Sequence, residues 1–167
     1  MSSNKYVKPV LLIFLFLCFI RSYSQYSLLS MVLKKNQVGK EFSFDSSSKE
    51  NGFDKTYIKY LGDIKCTSVK SLKFLTYSHI WGKNKHTTGI LFVFGSDNKF
   101  LGKYHLGGSG DLPKRIEGPY LLFTNGDKST CSRGLSTKID FSKGLLDEIF
   151  IKCKGSSGDI YTLSKDE

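Results

Sequence analysis

The feature that most constrains the fold is a run of alternating residues between Leu72 and Leu106. Residues 72–81 alternate apolar and polar side chains, 90–94 form an apolar run, and 100–106 alternate again, with polar turns between the three segments. Alternation with a period of two, rich in β-branched and aromatic residues and interrupted by Gly, Asn and Asp, is typical of consecutive antiparallel strands. The sequence therefore predicts a β-meander at the centre of the fold.

Further short strands are predicted on both sides of this meander, at 42–44, 56–61, 120–123, 135–141, 149–153 and 160–163. No strand alternates with a long helical pattern, which argues against an α/β fold. We predict an all-β fold, an antiparallel meander closing into a small barrel or sandwich of about eight strands. At most one short helix is expected near the N-terminus, where Leu28, Leu29, Val32 and Leu33 share a helical face that ends near Lys35.

Residues 1–24 have the order of a cleaved secretory signal peptide. Lys5 and Lys8 precede the apolar run Val10–Ile20, and Ser22 and Ser24 follow it. The run has eleven residues, whereas a membrane span needs roughly 20. We predict cleavage after Ser24, export to the periplasm or the extracellular space, and no stable transmembrane segment.

The mature chain would be a basic protein. Without the leader 143 of the 167 residues remain, and 22 basic against 15 acidic residues give a charge of +7. This length is enough for one domain with a core. We divide it into an N-terminal segment, residues 25–52, with a short helix, a strand and a polar loop, and an antiparallel β domain, residues 53–167, expected to be a monomer.

Three cysteines remain after the leader, which predicts one disulfide and one free thiol in an oxidising compartment. If successive strands are antiparallel neighbours, Cys131 and Cys153 fall at the same end of the sheet, and we predict that they are bridged. Cys66 enters the meander from that end and stays a competitor. A metal cluster is disfavoured because the cysteines lack close Cys-x-x-Cys spacing.

No local pattern indicates catalysis, a cofactor or a metal. The three histidines, His79, His86 and His105, have no spacing typical of a metal pair. The glycine-rich stretch 107–110 leads to Leu112 and Pro113 rather than into a helix, so it is not a phosphate-binding loop and is interpreted as a flexible connection.

The basic residues suggest a binding surface. The assumption that successive strands are antiparallel neighbours also places the turns 82–87 and 107–118 at one end of the fold. Their side chains predict a positive patch, with Trp81 beside it, made of Lys83, Lys85, Lys114 and Arg115. Clustered positive charge attracts anionic polymers in a salt-dependent manner.

The leading hypothesis is an exported, non-enzymatic binding or interaction module whose partner is an anionic polymer, a cell-surface component or a secreted protein. An inhibitor of a secreted enzyme fits the same scaffold, and a hydrolase whose site assembles only in three dimensions is a further alternative. A deep cleft would favour the enzyme, a shallow basic rim the binding module, and a protruding rigid loop the inhibitor.

Overall fold

The computed structural model describes residues 26–50, 52–126 and 131–165; the leader expected at residues 1–24 lies outside them. The chain starts with helix α1, residues 26–35, and continues through ten strands. A 3-10 turn, Ser109–Asp111, lies between the fifth and sixth strands. The strands are β1 Glu41–Asp45, β2 Asp54–Lys65, β3 Ser71–Trp81, β4 His86–Gly95, β5 Phe100–Gly107, β6 Arg115–Glu117, β7 Tyr120–Thr124, β8 Ser136–Asp140, β9 Glu148–Lys154 and β10 Ser157–Thr162. None of the helices in these ranges is long and apolar enough to cross a membrane.

The predicted meander is present and is the largest sheet. Strands β1 to β5 pair in sequence order, each antiparallel to the next. The two remaining sheets are small: β6, β7 and β8 form one, and β9 pairs with β10 in the other. The fold is thus antiparallel and mostly β, but no closed barrel is found among the described residues.

Alternation along β3 gives the large sheet two differently covered faces. Leu72 and Phe74 point to a core shared with the two small sheets, whereas Leu75 lies in a second core under α1. Helix α1 contributes Leu29 and Val32, both fully buried. The helix therefore depends on this sheet, since an isolated helix of its length is marginal in water.

A β-bulge in β2 lets one strand serve both cores. Before the bulge Ile58 and Tyr60 lie in the core under α1, and after it Ile64 lies in the other core. The register shifts between Tyr60 and Gly62, and Gly62 has a φ of 119°, a conformation that costs glycine little. The extra residue changes which face the even-numbered positions occupy.

The two small sheets cover the face of the large sheet opposite α1. Leu121, Phe123 and Ile149 pack into the same core as Phe74. The buried Tyr104 of β5 donates its hydroxyl to the carbonyl oxygen of Leu146, in the segment between β8 and β9. The chain crosses to this second layer after β5, so the uninterrupted meander assumed from the sequence ends there.

Two sequence predictions in this part of the chain have a definite outcome. The bridge between Cys131 and Cys153 is confirmed, with the Cα atoms 4.5 Å apart, and Cys66 is free and half-buried. The glycine-rich stretch 107–110, expected to be a flexible connection, overlaps the 3-10 turn Ser109–Asp111. Strand β6, which was not predicted, follows it, because the backbone of Lys114 and Arg115 pairs with that of Leu122.

Candidate functional site

Helix α1 covers only part of its face of the large sheet. The remainder is formed by the beginnings of β2 and β4 and the end of β3, and none of its residues belongs to the core under α1. Its side chains are half-buried or exposed. We call this surface the open face; it consists of Asp54, Thr56, His79, Trp81, His86 and Thr88.

A stack of rings runs through the open face. The His79 and Trp81 rings are 5.0 Å apart with an interplanar angle of 22°, because residues two apart on a strand point to the same side. His86 lies directly across from Trp81 on β4, with ring centroids 5.9 Å apart. Trp81 nevertheless keeps 37% of its surface exposed. The indole is thus held by neighbours and still available to a ligand.

Asp54 fixes the orientation of the imidazole in this stack. Its Oδ1 lies 2.9 Å from Nε2 of His79, and 38% of the Asp54 side chain remains exposed. The Asp54 backbone is itself held, since its N–H donates to Oγ of Ser47 at 2.9 Å. The first residue of β2 is therefore anchored to the loop after β1, and its carboxylate is placed by the strand pairing.

Tyr77 connects the open face to the core under α1. Its ring is 6.3 Å from that of His79 and 5.9 Å from that of Phe92. Burial raises the pKa of the Tyr77 phenol, the side-chain hydrogen bond with Thr56 lowers it, and the nearby Asp54 carboxylate adds to the rise. The phenol therefore stays protonated at neutral pH and can act as a hydrogen-bond donor.

Lysines surround the end of the sheet next to Trp81. The ring of Phe53 lies between two ammonium groups, with Nζ of Lys55 at 5.4 Å and Nζ of Lys85 at 5.5 Å from its centroid. The β3–β4 turn is closed by hydrogen bonds from Gly82 N to Phe53 O and from Lys85 N to Gly82 O. Lys83 is exposed in the same turn. Positive charge and aromatic surface thus occur together at this end.

The structure brings the two predicted loops together only where the first, 82–87, ends and the second, 107–118, begins. A Cβ added to Gly108 would lie 3.1 Å from Oγ1 of Thr87, so the chain leaves β5 beside the β3–β4 turn. It then moves away, because Ile116 of β6 packs near Gly62, far along β2 from Asp54. The side chain of Arg115 is already paired, with Nε 2.9 Å from Oε1 of Glu117.

The predicted patch is therefore arranged as two groups. Lys83 and Lys85 lie in the turn beside Trp81, whereas Lys114 and Arg115 begin β6. In the second group Glu117 also binds Lys138, with Nζ 2.9 Å from Oε2, so its carboxylate offsets part of the positive charge. The open face and the β3–β4 turn form the more continuous candidate site.

The Asp54–His79 pair resembles the base and orienting acid of a hydrolase, but the pair lacks a nucleophile. Within the described ranges no hydroxyl or thiol is hydrogen-bonded to His79, and Ser78 points into the opposite face with 6% exposure. A general base needs the group it deprotonates within hydrogen-bond reach. The same ranges contain no group of three or more metal-ligating side chains.

The sequence singled out Trp81 and the lysines as candidate binding residues, whereas Asp54 and His79 were not among them. The spacing of Tyr77, His79 and Trp81 at alternate positions was a usable signal, because it places all three on one face. Asp54 had no comparable signal. It was expected to precede the strand, and only the observed register pairs it with Trp81 and brings its carboxylate to His79.

Comparisons with known proteins return no match for this chain, neither among family models nor among curated proteins nor among solved structures.

Proposed function

We propose that this protein is an exported, non-enzymatic binding module and that the open face, with the β3–β4 turn, is its ligand surface. The observation that carries the proposal is the exposed, immobilised Trp81 in its stack with His79, beside Lys83 and Lys85. Aromatic side chains that are already ordered lose little conformational entropy on binding. Exposed aromatic surface of this kind is typical of interaction sites.

Export is supported by the chemistry of the chain. Disulfides persist in oxidising compartments, and the Cys131–Cys153 bridge is compatible with periplasmic or extracellular residence. The leader hypothesis can be tested directly by expressing the full chain in a Gram-negative host and measuring the intact mass of the exported protein. A mass beginning at Gln25 supports cleavage after Ser24; retention of residues 1–24 would contradict it.

Binding can be tested with the intrinsic fluorescence of the protein. Trp81 is the only tryptophan of the chain, so any change in its emission reports on the open face alone. We expect at least one polymer of a panel containing polygalacturonate, heparin, dextran and poly(dT) to shift the emission saturably. Loss of acrylamide quenching should accompany the shift, because a ligand on the indole excludes the quencher. If no polymer changes the emission, the open face does not bind this class of ligand.

Inhibition of a secreted enzyme is the second candidate, favoured by the β3–β4 turn. Its two backbone hydrogen bonds hold Lys83 on a fixed loop beside an exposed aromatic residue. Because the protein is basic, its target would be acidic. Inhibition of an acidic secreted hydrolase that is lost on changing Lys83 to Ser would favour this function; unchanged inhibition would reject the turn as the inhibitory element.

A further inference from the structure

We infer that the open face takes an acidic polysaccharide, one that carries carboxylate or sulfate groups along a chain of hydroxylated rings. The inference rests on the proposed binding function and adds the chemical class of the ligand. It follows from the different chemistry of the two parts of the site. The open face offers a carboxylate and hydroxyls around an indole, and the β3–β4 turn offers lysines.

The carboxylate of Asp54 selects against a polyanion whose backbone linkages are themselves charged. Among the described residues His79 is its only side-chain partner, through Oδ1, so Oδ2 is left to accept a hydrogen bond. A carboxylate accepts hydrogen bonds from hydroxyl groups and repels phosphates. An array of sugar hydroxyls can therefore occupy this position, whereas a phosphodiester backbone would be repelled there.

The side chains around Asp54 also favour a ligand that carries hydroxyl groups. Thr56 and Thr88 lie directly across from His79 on its two neighbouring strands, so one hydroxyl stands on each side of the imidazole. Hydroxyl groups both donate and accept, which matches the alternating donors and acceptors of a polyol. The indole adds an apolar surface. Its face is electron-rich, and the C–H groups of a sugar ring carry the complementary partial charge.

The lysines supply the partner for the acidic groups of the polysaccharide. Lys83 and Lys85 follow Trp81 along the chain, in the turn beyond the end of the sheet at which Asp54 pairs with Trp81. Nζ of Lys85 lies 5.5 Å from the ring centroid of Phe53, the residue before Asp54. A chain crossing from Asp54 over Trp81 to the turn would place hydroxyls at the carboxylate and acidic groups at the lysines. A neutral polysaccharide has no acidic groups to interact with the lysines and should bind more weakly.

The inference is tested by comparing four polymers and two variants through Trp81 fluorescence. We expect polygalacturonate or heparin to bind the unaltered protein at least tenfold more tightly than dextran or poly(dT). Asp54→Asn, which removes the charge and retains one acceptor, should weaken polygalacturonate or heparin binding by about tenfold or more and should strengthen poly(dT) binding. Polygalacturonate and heparin distinguish carboxylate from sulfate as the acidic group.

Asp159→Asn is the matched control, since Asp159 is exposed on β10 and not part of the open face. It should leave all affinities unchanged, and equal thermal melting of both variants establishes that each is folded. Tighter binding of poly(dT) than of either polysaccharide, or stronger polysaccharide binding by Asp54→Asn, would overturn the ligand class while leaving the binding function intact. Absence of any fluorescence response would instead reject the open face as a surface for polymers of any of these classes.

Discussion

Gly89 lies so close to the carbonyl group of Gly108 that position 89 has no room for a side chain. A Cβ on Gly89 would overlap the carbonyl oxygen of Gly108 and lie 2.9 Å from its carbonyl carbon. Gly89 is on β4 and Gly108 begins the 3-10 turn after β5, so this contact holds the turn against the sheet. It is also the point at which the chain leaves the large sheet for the second layer.

Gly89→Ala should therefore lower the free energy of unfolding by about 1–3 kcal/mol, as is typical of overpacking against backbone that must move. Gly126→Ala is the control, because a Cβ there meets nothing within 4 Å. Its effect should stay within about 0.5 kcal/mol. Urea denaturation of both variants checks the prediction, and equal midpoints would show that the 3-10 turn moves away without cost.

Tyr104→Phe should destabilise the junction of the two layers. The Tyr104 side chain is fully buried and its hydroxyl donates to the Leu146 carbonyl, so the substitution leaves that carbonyl without this donor. A loss of about 1–2 kcal/mol is expected. Tyr120→Phe, at a tyrosine with 38% exposure, should change stability little. Denaturation curves that do not separate the two variants would contradict a structural role for the Tyr104 hydroxyl.

Removing the disulfide should lower the free energy of unfolding more than removing the free thiol does. The bridge spans a sequence separation of 22 residues, and the chain-entropy model gives a stabilisation of about 3 kcal/mol for a loop of this size. The double variant Cys131→Ala, Cys153→Ala should unfold at correspondingly lower urea concentration. Cys66→Ala retains the bridge and should lose about 1 kcal/mol for its half-buried side chain. A double variant as stable as Cys66→Ala would disprove the estimate.

The Cys66 thiol should react slowly at neutral pH. Burial raises its pKa above the ordinary value, a hydrogen bond with the backbone at Leu72 opposing the rise. Because the thiolate is the nucleophile, alkylation by iodoacetamide should still accelerate above about pH 9, where an ordinary thiol is already mostly ionised. Mass spectrometry at a series of pH values measures this, and a rate that levels off at pH 8.5 would contradict it.

The same shift has a consequence for stability, with a definite sign. The Cys66 thiol keeps its proton to higher pH in the folded state than in the unfolded chain. The unfolded chain therefore binds fewer protons above the ordinary thiol pKa, and stability decreases as the pH rises from that value through the folded pKa. Cys66→Ala should remove this part of the alkaline loss of stability.

The lysines of the β3–β4 turn should carry most of the salt dependence of binding. For polygalacturonate or heparin, changing Lys83 and Lys85 to Ser should reduce the slope of log affinity against log salt by about 1 per residue. Changing Lys99 and Lys154, away from the turn, should reduce it less. Neither pair should affect folding, because exposed charges contribute little to stability. Equal losses from both pairs would mean that only net charge attracts the polymer.

Lys114 and Arg115 serve as a third pair in that experiment. Because Arg115 is held by Glu117, their change to Ser should have a smaller effect than the change of Lys83 and Lys85. An effect of the same size would favour the single four-residue patch that was expected from the sequence.

The parts of the fold that the sequence predicts are those set by neighbouring residues. Alternation from Leu72 to Trp81 predicted both faces of β3. The bond between Cys131 and Cys153 was predicted from an antiparallel order that left Cys66 as a competitor, and β8 and β9, which were assumed to be neighbours, belong to different sheets. The crossing after β5 had no local signal, since it depends on a backbone contact between Gly89 and Gly108. The bulge at Gly62 is likewise determined by two cores competing for one strand.

The candidate site likewise has one part that the sequence predicts and another that it does not. Trp81 and Lys83 stand out because exposed aromatic and basic residues at a strand end and turn are visible in the sequence. The Asp54–His79 pair depends on the register of β2 against β3, and a shift of one residue would place the carboxylate on the other face. The sequence could indicate the aromatic and basic residues of the candidate site but not the polar pair beside them.

The sequential pairing of β1 to β5 also bears on how the chain reaches this structure. Each strand finds its partner across a short connection, so the large sheet can assemble hairpin by hairpin with a small loss of loop entropy at each step. The pairing of Ser164 with Lys103 joins distant parts of the chain and should form late. The open face is complete once β2, β3 and β4 have paired, so a folding intermediate that lacks the second layer would already contain it.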